Sequence, residues 1–357
     1  MSTLQTIVEL SHEFGTPVFV HGGGGNSSCK TDDTLWVKPS GTTLQRIEAD
    51  DFVALDRAGI NELYDVETPP DASAREKLVK EIMTAAVLPE SSGRPSVEAP
   101  LHNSFHATYV VHTHPTLVNG MTCARDGETV CKKLFPEALW MPYVDPGYSL
   151  CMRVRESMKA YEELEGHQPP LLFIQNHGVF VAADTAAEIR KLYSHVMGTL
   201  AAEYERTGTS TELNVGPEPP EEKTGELAEL ARDTIGEDDA AHVVPGGVYA
   251  VAEGPVSPDH IVYSKSFPLV GLPTQDAVDR FREQHGYSPR IVACAPGVFG
   301  LGRTRKNAAL ALELSRDAAL VKQLADAFGG IRFMSDEQRR FIESWEVEAY
   351  RQRIAEA

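Results

Sequence analysis

The segment Tyr109–Pro115, YVVHTHP, constrains the fold more than any other stretch of the chain. Its β-branched run predicts a strand, closed by Pro115, which has no N–H to donate to a ladder. Side chains two apart on a strand share a face, so His112 and His114 are presented together. Such a pair is either a satisfied core or surface pair, or two ligands of one metal.

A third histidine decides how interesting the pair becomes. His177, in QNHGVF, falls between predicted strand pieces Leu171–Gln175 and Gly178–Val181, with Gly178 allowing close backbone approach. Alone, Asn-His-Gly is also a good turn. Together His112, His114 and His177 supply three neutral nitrogens and leave a coordination position open, the pattern of a catalytic zinc site. Upstream, PSVEAPLH places Glu98 near the start of a helix predicted over 99–106. Glu98, His102 and His106 then fall on one helical face. Glu98 either complements the helix dipole or acts as a base beside a metal-polarised carbonyl, while His102 and His106 read as a solvated face.

The remaining motifs have the makings of an anion site. HGGGGNSS gathers backbone N–H groups and the side chains of Asn26, Ser27 and Ser28 at one turn, and VKPSG adds Lys38, Ser40 and Gly41. Backbone nests of this kind hold phosphate or carboxylate, although the glycines alone suffice for a flexible turn. The run is not GxxxxGK[ST] and follows no Rossmann strand pattern, so nucleotide fingerprints fail.

Charge narrows the partners. With 52 Asp+Glu against 33 Lys+Arg, the net charge is −19 and no basic stripe exists, which argues against a nucleic-acid partner. An anionic small molecule then needs a local positive device: a metal, Lys38 or backbone N–H groups. The five cysteines are scattered without a CxxC pair, which predicts reduced thiols and a cytoplasmic protein. No apolar run approaches the roughly 18 residues needed to span a bilayer, and the N-terminus lacks an apolar signal core. No membrane partner is expected.

Alternating strands and helices predict the α/β class. Residues 207–226, rich in Pro, Gly, Thr and Glu, read as a linker between domains 1–206 and 227–357. In the second domain Ala241–Val244, Tyr249–Ala252, Ile261–Tyr263 and Ile291–Ala293 are predicted strands, with helices over 304–327 and from Ser335. PLLFIQNHGVFVAADT, from Pro170, is echoed by PRIVACAPGVFGLGRT, from Pro289. The echo is either a degenerate partial repeat or convergent strand–turn–helix chemistry. As a repeat, it puts Pro296 where His177 stands and leaves the second copy without that ligand.

The ordered motifs GGGGNSS, VKPSG, PSVE–LH, VVHTHP, MPYVDPG and NHGVF resemble the class II aldolase/adducin family over about residues 5–205. They look most like the aldolase portion of bifunctional rhamnulose-phosphate aldolase/short-chain dehydrogenase proteins, with no dehydrogenase domain expected here. Residues 227–357 are similar to the segment that follows the aldolase portion there.

The resemblance implies a three-layer αβα domain with a largely antiparallel central sheet, plus a smaller C-terminal α/β domain. It implies that His112, His114 and His177 bind Zn2+, or another divalent metal such as Mn2+, Fe2+ or Co2+. Glu98 then matches the catalytic acid/base, and Asn26, Ser40, Gly41 and Ser96 match phosphate-cradling positions, joined by Ser27 and Lys38. Tyr143, in MPYVDPG, resembles a proton donor that some aldolases bring in from a neighbouring subunit, so a homo-oligomer is expected. Val97 departs from the family, standing where many members have a second serine, and Lys38 is the candidate to compensate.

The implied activity is metal-dependent cleavage of a ketose 1-phosphate to dihydroxyacetone phosphate and an aldehyde. The same site would also serve an epimerase, dehydratase or decarboxylase of a phosphorylated sugar or sugar acid. A non-catalytic, adducin-like interaction protein is the remaining alternative.

Overall fold

The computed structural model describes residues 2–69 and 71–345. The chain forms two compact units, Met1–Val118 with Glu128–Leu200, and Asn119–Gly127 with Ala201–Ala357. Residues 346–357 of the expected C-terminal domain lie outside the described residues.

In the first unit, Ser2 caps α1 (Thr3–Phe14) by accepting from Gln5 N. Next come β1 (Asn26–Lys30), β2 (Thr34–Val37) and β3 (Val53–Asp56). Asp56 then caps α2 (Arg57–Asp65) by accepting from the N–H groups of Ala58 and Gly59. The chain continues through α3 (Ala72–Ala85), α4 (Ala99–Ser104), β4 (Tyr109–Thr113), α5 (Thr116–Thr122), α6 (Gly127–Leu134) and β5 (Ala138–Met141). Helix α7 (Tyr148–Glu165), β6 (Leu171–Ile174), β7 (Gly178–Ala183) and α8 (Ala186–Thr207) complete the series.

The seven strands form one sheet in the order β3-β2-β1-β4-β7-β6-β5. Every neighbouring pair is antiparallel except β5 with β6. Strands β1, β4 and β6 are buried along their whole length, as expected of a sheet covered on both faces. On one face Val110, Leu172, Ile174 and Phe180 pack with Leu101 of α4 and Val154 of α7. On the other, Phe14 of α1 stacks on Tyr193 of α8 at 4.1 Å, and the Tyr193 hydroxyl donates to Val111 O. The layering is therefore helix–sheet–helix, as the family resemblance implies.

Helix α4 is shorter than its sequence suggests. It stops at Ser104, and Phe105 is extended, so exposed His106 leaves the face that carries His102. His102 is fully buried between the sheet and its neighbours, which corrects its reading as a solvated residue.

The second unit contains α9 (Glu221–Ile235), β8 (His242–Pro245), α10 (Pro258–Ser264), β9 (Leu269–Val270) and α11 (Gln275–His285). It ends with β10 (Ile291–Cys294), β11 (Gly297–Gly302), α12 (Arg305–Ala325) and α13 (Asp336–Ser344). Among the described residues its four strands pair in the order β8-β11-β10-β9, antiparallel except for β9 with β10. Three expectations change here. Ile261–Tyr263 lies in α10 rather than in a strand, because Pro258 and Asp259 open a helix and a three-residue apolar run does not choose between the two. Tyr249 and Val251 join no ladder among the described residues and are buried against Leu312 of α12. Glu221–Glu226 begins α9, whose acidic first turn suits a helix N-terminus, so the connecting segment is shorter than 207–226. Among the described residues no helix is long and apolar enough to cross a membrane.

Candidate metal centre

Strand register brings several motifs to one end of the first sheet. Asn26, at the start of β1, pairs with His112 near the end of β4. Lys38 follows β2, its N–H donating to Ser27 O at 3.0 Å. His114 follows β4, and His177 precedes β7. Gln175 N donates to Met141 O at 2.9 Å, which places Tyr143, two residues past β5, at the same end.

The three imidazoles form a cluster. Ring centroids are 4.7 Å apart for His112–His114, 5.0 Å for His112–His177 and 5.1 Å for His114–His177. The Nε2 atoms of His112 and His114 are 3.1 Å apart, and one ligand atom from each of the three lies within 4.8 Å of the others. Three nitrogens on one tetrahedral ion at about 2.0–2.1 Å would be about 3.4 Å apart, so the cluster fits one cation after small adjustments. His112 is held by stacking on Phe180, with centroids 3.7 Å apart and planes at 14°.

The hairpin that carries His177 depends on its turn. Asn176 adopts a left-handed φ of 52°, a conformation Asn tolerates better than most residues. A Cβ on Gly178 would lie 2.4 Å from Thr113 O and 2.6 Å from His114 Cδ2. Only glycine lets β7 start this close beneath His114.

Glu98 occupies the N-cap position of α4, yet its side chain makes no hydrogen bond to that helix end. The carboxylate turns to the histidines instead. It lies 3.1 Å from His112 Nδ1 and 3.8 Å from His177 Nε2, and accepts from Asn26 Nδ2 at 3.2 Å. Burial would raise its pKa; the His112 imidazole beside it, aided by His177, outweighs this and holds it well below the usual carboxylate value. His102 goes the other way, pushed down to about 3 chiefly by burial, and is therefore neutral. Its Nδ1 is 2.8 Å from Ser28 Oγ.

The anion-site candidates separate. Asn26 Nδ2 also donates to Ser96 Oγ at 2.7 Å, and Ser96 Oγ accepts from Glu98 N at 3.2 Å, which leaves the Ser96 hydroxyl hydrogen to donate outward. The VKPSG loop lies against the same segment: Pro39 bridges Pro95, and Ser40 N donates to Arg94 O. Gly41 takes a φ of 88° there, and Lys38 Nζ ties the loop together by donating to Thr42 O. Ser27 does not face this group. Strand alternation turns its hydroxyl to Ser11 of α1, 2.7 Å away, and puts Ser28 on the face shared with Asn26. The Ser28–His102 contact is the part that sequence reasoning missed; the parity of β1 was its one signal.

The class II aldolase and adducin N-terminal domain matches residues 5–203. The chain belongs to the class II aldolase and adducin family. Among its relatives is an uncharacterised oxidoreductase of Bacillus subtilis, 25% identical over 93% of this chain; the chain spans only 55% of that relative's length. Among solved structures it resembles the N-terminal class II aldolase domain of a conserved protein from Thermoplasma acidophilum. That likeness has 23% identity and a TM-score of 0.49, covering 56% of this chain and 93% of the other. A sugar-phosphate aldolase from Thermotoga maritima is 15% identical with a TM-score of 0.40, covering 56% and 94%. Class II aldolases are typically dependent on a divalent metal, and three imidazoles with an adjacent carboxylate are a donor set suited to one.

Proposed function

We propose that the chain is a metal-dependent aldolase that cleaves a ketose 1-phosphate to dihydroxyacetone phosphate and an aldehyde. The observation that carries this reading is the Glu98 carboxylate set against the three-imidazole cluster, 3.1 Å from His112. Zn2+, or another divalent ion such as Mn2+, held by His112, His114 and His177, would polarise the substrate carbonyl and offset the negative charge left as the carbon–carbon bond breaks.

The chain's own groups do the rest. Glu98, oriented by Asn26, gives a proton from its acid form to the carbon freed by cleavage, and as the carboxylate takes it back in the condensing direction. Ser96, Ser40 and the Gly41 backbone cradle the phosphate, and Lys38 supplies the cation next to that loop. Tyr143 receives the proton that the hydroxyl beside the breaking bond gives up as the aldehyde forms, passing its own to solvent, and in the condensing direction returns a proton to that oxygen. A catalytic domain at 1–206, a separate C-terminal domain, a homo-oligomer in which Tyr143 serves a neighbouring site, and a cytoplasmic location belong to the same proposal.

The test is product analysis. Zinc- or manganese-loaded protein is incubated with a panel of ketose 1-phosphates, sugar-phosphate epimer pairs and sugar acids, and products are followed by mass spectrometry. Release of dihydroxyacetone phosphate is expected. Epimerised, dehydrated or decarboxylated products without it would overturn the aldolase reading.

A further inference from the structure

The second unit repeats the plan of four neighbouring strands of the first. Order β8-β11-β10-β9 has the same sequence of antiparallel and parallel pairs as β4-β7-β6-β5. In each unit a long helix, α8 or α12, follows the last strand of the series. The echo between Pro170 and Pro289 is thus one piece of a longer correspondence.

Register turns the correspondence into residue pairs. Phe180 pairs with His112, and Phe299, its counterpart in the echo, pairs with Pro245. Pro245 therefore stands where His112 stands, and Gly247, two residues on, where His114 does. Pro296 precedes the glycine that opens β11 as His177 precedes the one that opens β7. The turns differ by one residue, since Gly178 pairs with Ile174 but Gly297 with Cys294. That slip ends the ungapped sequence match upstream of the turn.

The chain's own connecting segment lies over these positions. Gln323 Nε2 donates to Ser210 O at 2.7 Å and to Glu212 O at 3.1 Å. Leu213 packs on the cluster of Tyr249, Val298 and Leu312. Gly216 N donates to Val248 O at 2.8 Å, and Pro219 Cδ lies 3.2 Å from where a Cβ on Gly297 would be. Arg316 Nη2 donates to Gly246 O at 2.9 Å and lies 3.8 Å from Glu218. Gly247 has a φ of 71°, and a Cβ on it would be 2.3 Å from Gly216 O. A histidine cannot occupy that position while the segment is in place.

We infer that the second unit is a copy of the four-strand part of the framework that carries the histidines, β4-β7-β6-β5, that it has lost all three metal ligands, and that residues 210–219 form a strap sealing the cleft left behind. The segment is a fixed plug rather than a free linker, and the polypeptide holds one divalent ion, in the first unit. The ion count rests on the reading of His112, His114 and His177 as ligands; the strap does not.

Two measurements on the full chain test this. Protein loaded with zinc and dialysed is expected to retain one zinc per chain by elemental analysis, and none in the His112→Ala/His114→Ala variant. A second zinc that survives the double substitution overturns the loss of the second site. A wild type that holds no zinc overturns the metal reading and the ion count, and leaves the strap to be judged by proteolysis.

For the strap, endoproteinase Glu-C cutting after Glu212 is compared with cutting of a synthetic peptide of residues 207–220. The folded chain is expected to be cut about 100-fold more slowly than the peptide. Gln323→Ala is expected to speed the cut about tenfold by releasing one end of the strap, and Glu218→Gln about twofold, since it removes only an exposed ion pair. Equal rates for folded chain and peptide overturn the plug, as do rates unchanged in both variants.

Discussion

The Glu98 carboxylate lies 3.1 Å from His112 Nδ1, while the Nε2 of the same ring lies 3.1 Å from His114 Nε2. One imidazole thus connects the group proposed to move the proton with the cluster proposed to hold the ion. The two roles should separate under substitution. Glu98→Gln keeps the size and the contact with Asn26 but removes the base. It should retain stoichiometric zinc and lose about 10²–10⁴-fold in turnover. Elemental analysis with a steady-state assay on the identified substrate checks it; full activity in the variant would remove Glu98 from the mechanism.

Gly178 makes a sharper demand on the backbone. A methyl there meets Thr113 O at 2.4 Å and the His114 ring at 2.6 Å, and the carbonyl is not a flexible side chain that can swing aside. Gly178→Ala should cost about 1–3 kcal/mol of stability through overpacking and should displace His114. Urea unfolding and zinc titration read the two effects separately. Wild-type zinc affinity in a destabilised variant would show that His114 is not a ligand.

Asn26 Nδ2 donates to two partners of different kinds, Ser96 at 2.7 Å and Glu98 at 3.2 Å. Asn26→Ala should therefore act on both substrate affinity and proton transfer. KM for a phosphorylated substrate should rise and kcat fall, each by about tenfold or more, consistent with the loss of one charge-assisted contact. A change confined to KM would mean that Asn26 serves the anion alone.

What sequence reasoning reached was set by local periodicity. His112 and His114 share a face by the two-residue repeat of a strand, and His177 beside Gly178 marks a tight turn; neither inference needs distant contacts. Glu98 was recognisable because PSVEAPLH marks a helix start. Ser27 and Ser28 were not separable, since a one-residue shift in where β1 leaves the glycine run exchanges their faces. His102 reads as solvated from its helix alone, because its burial comes from Ser28 and Phe180, both distant in sequence. Ile261–Tyr263 failed for the opposite reason, as too few residues carried the pattern. The correspondence between the two sheets was hidden by the single-residue difference in their turns, which only strand register exposes.

Lys30, next to the buried Cys29 on β1, offers a test of the fold that is independent of catalysis. Its amine is nearly inaccessible and donates to Phe105 O at 3.0 Å and Ala107 O at 2.9 Å. Burial, helped by Arg57, pushes its pKa from 10.5 down to about 7. A neutral amine still has two N–H groups for those two carbonyls. Between about pH 7 and 10.5 the unfolded chain holds a proton that the folded chain has released. Stability contributed by this site therefore rises with pH through that interval, and the full penalty persists below about pH 7. Cys29 acts oppositely above its ordinary 9.0, because burial raises its thiol to about 12. The clean window is thus pH 7 to 9. Across it, wild type should gain about 2 kcal/mol relative to Lys30→Met, as other titrations cancel in the difference. Urea unfolding of both proteins at the two pH values measures this gain. A constant difference would show that Lys30 keeps its charge in the folded chain.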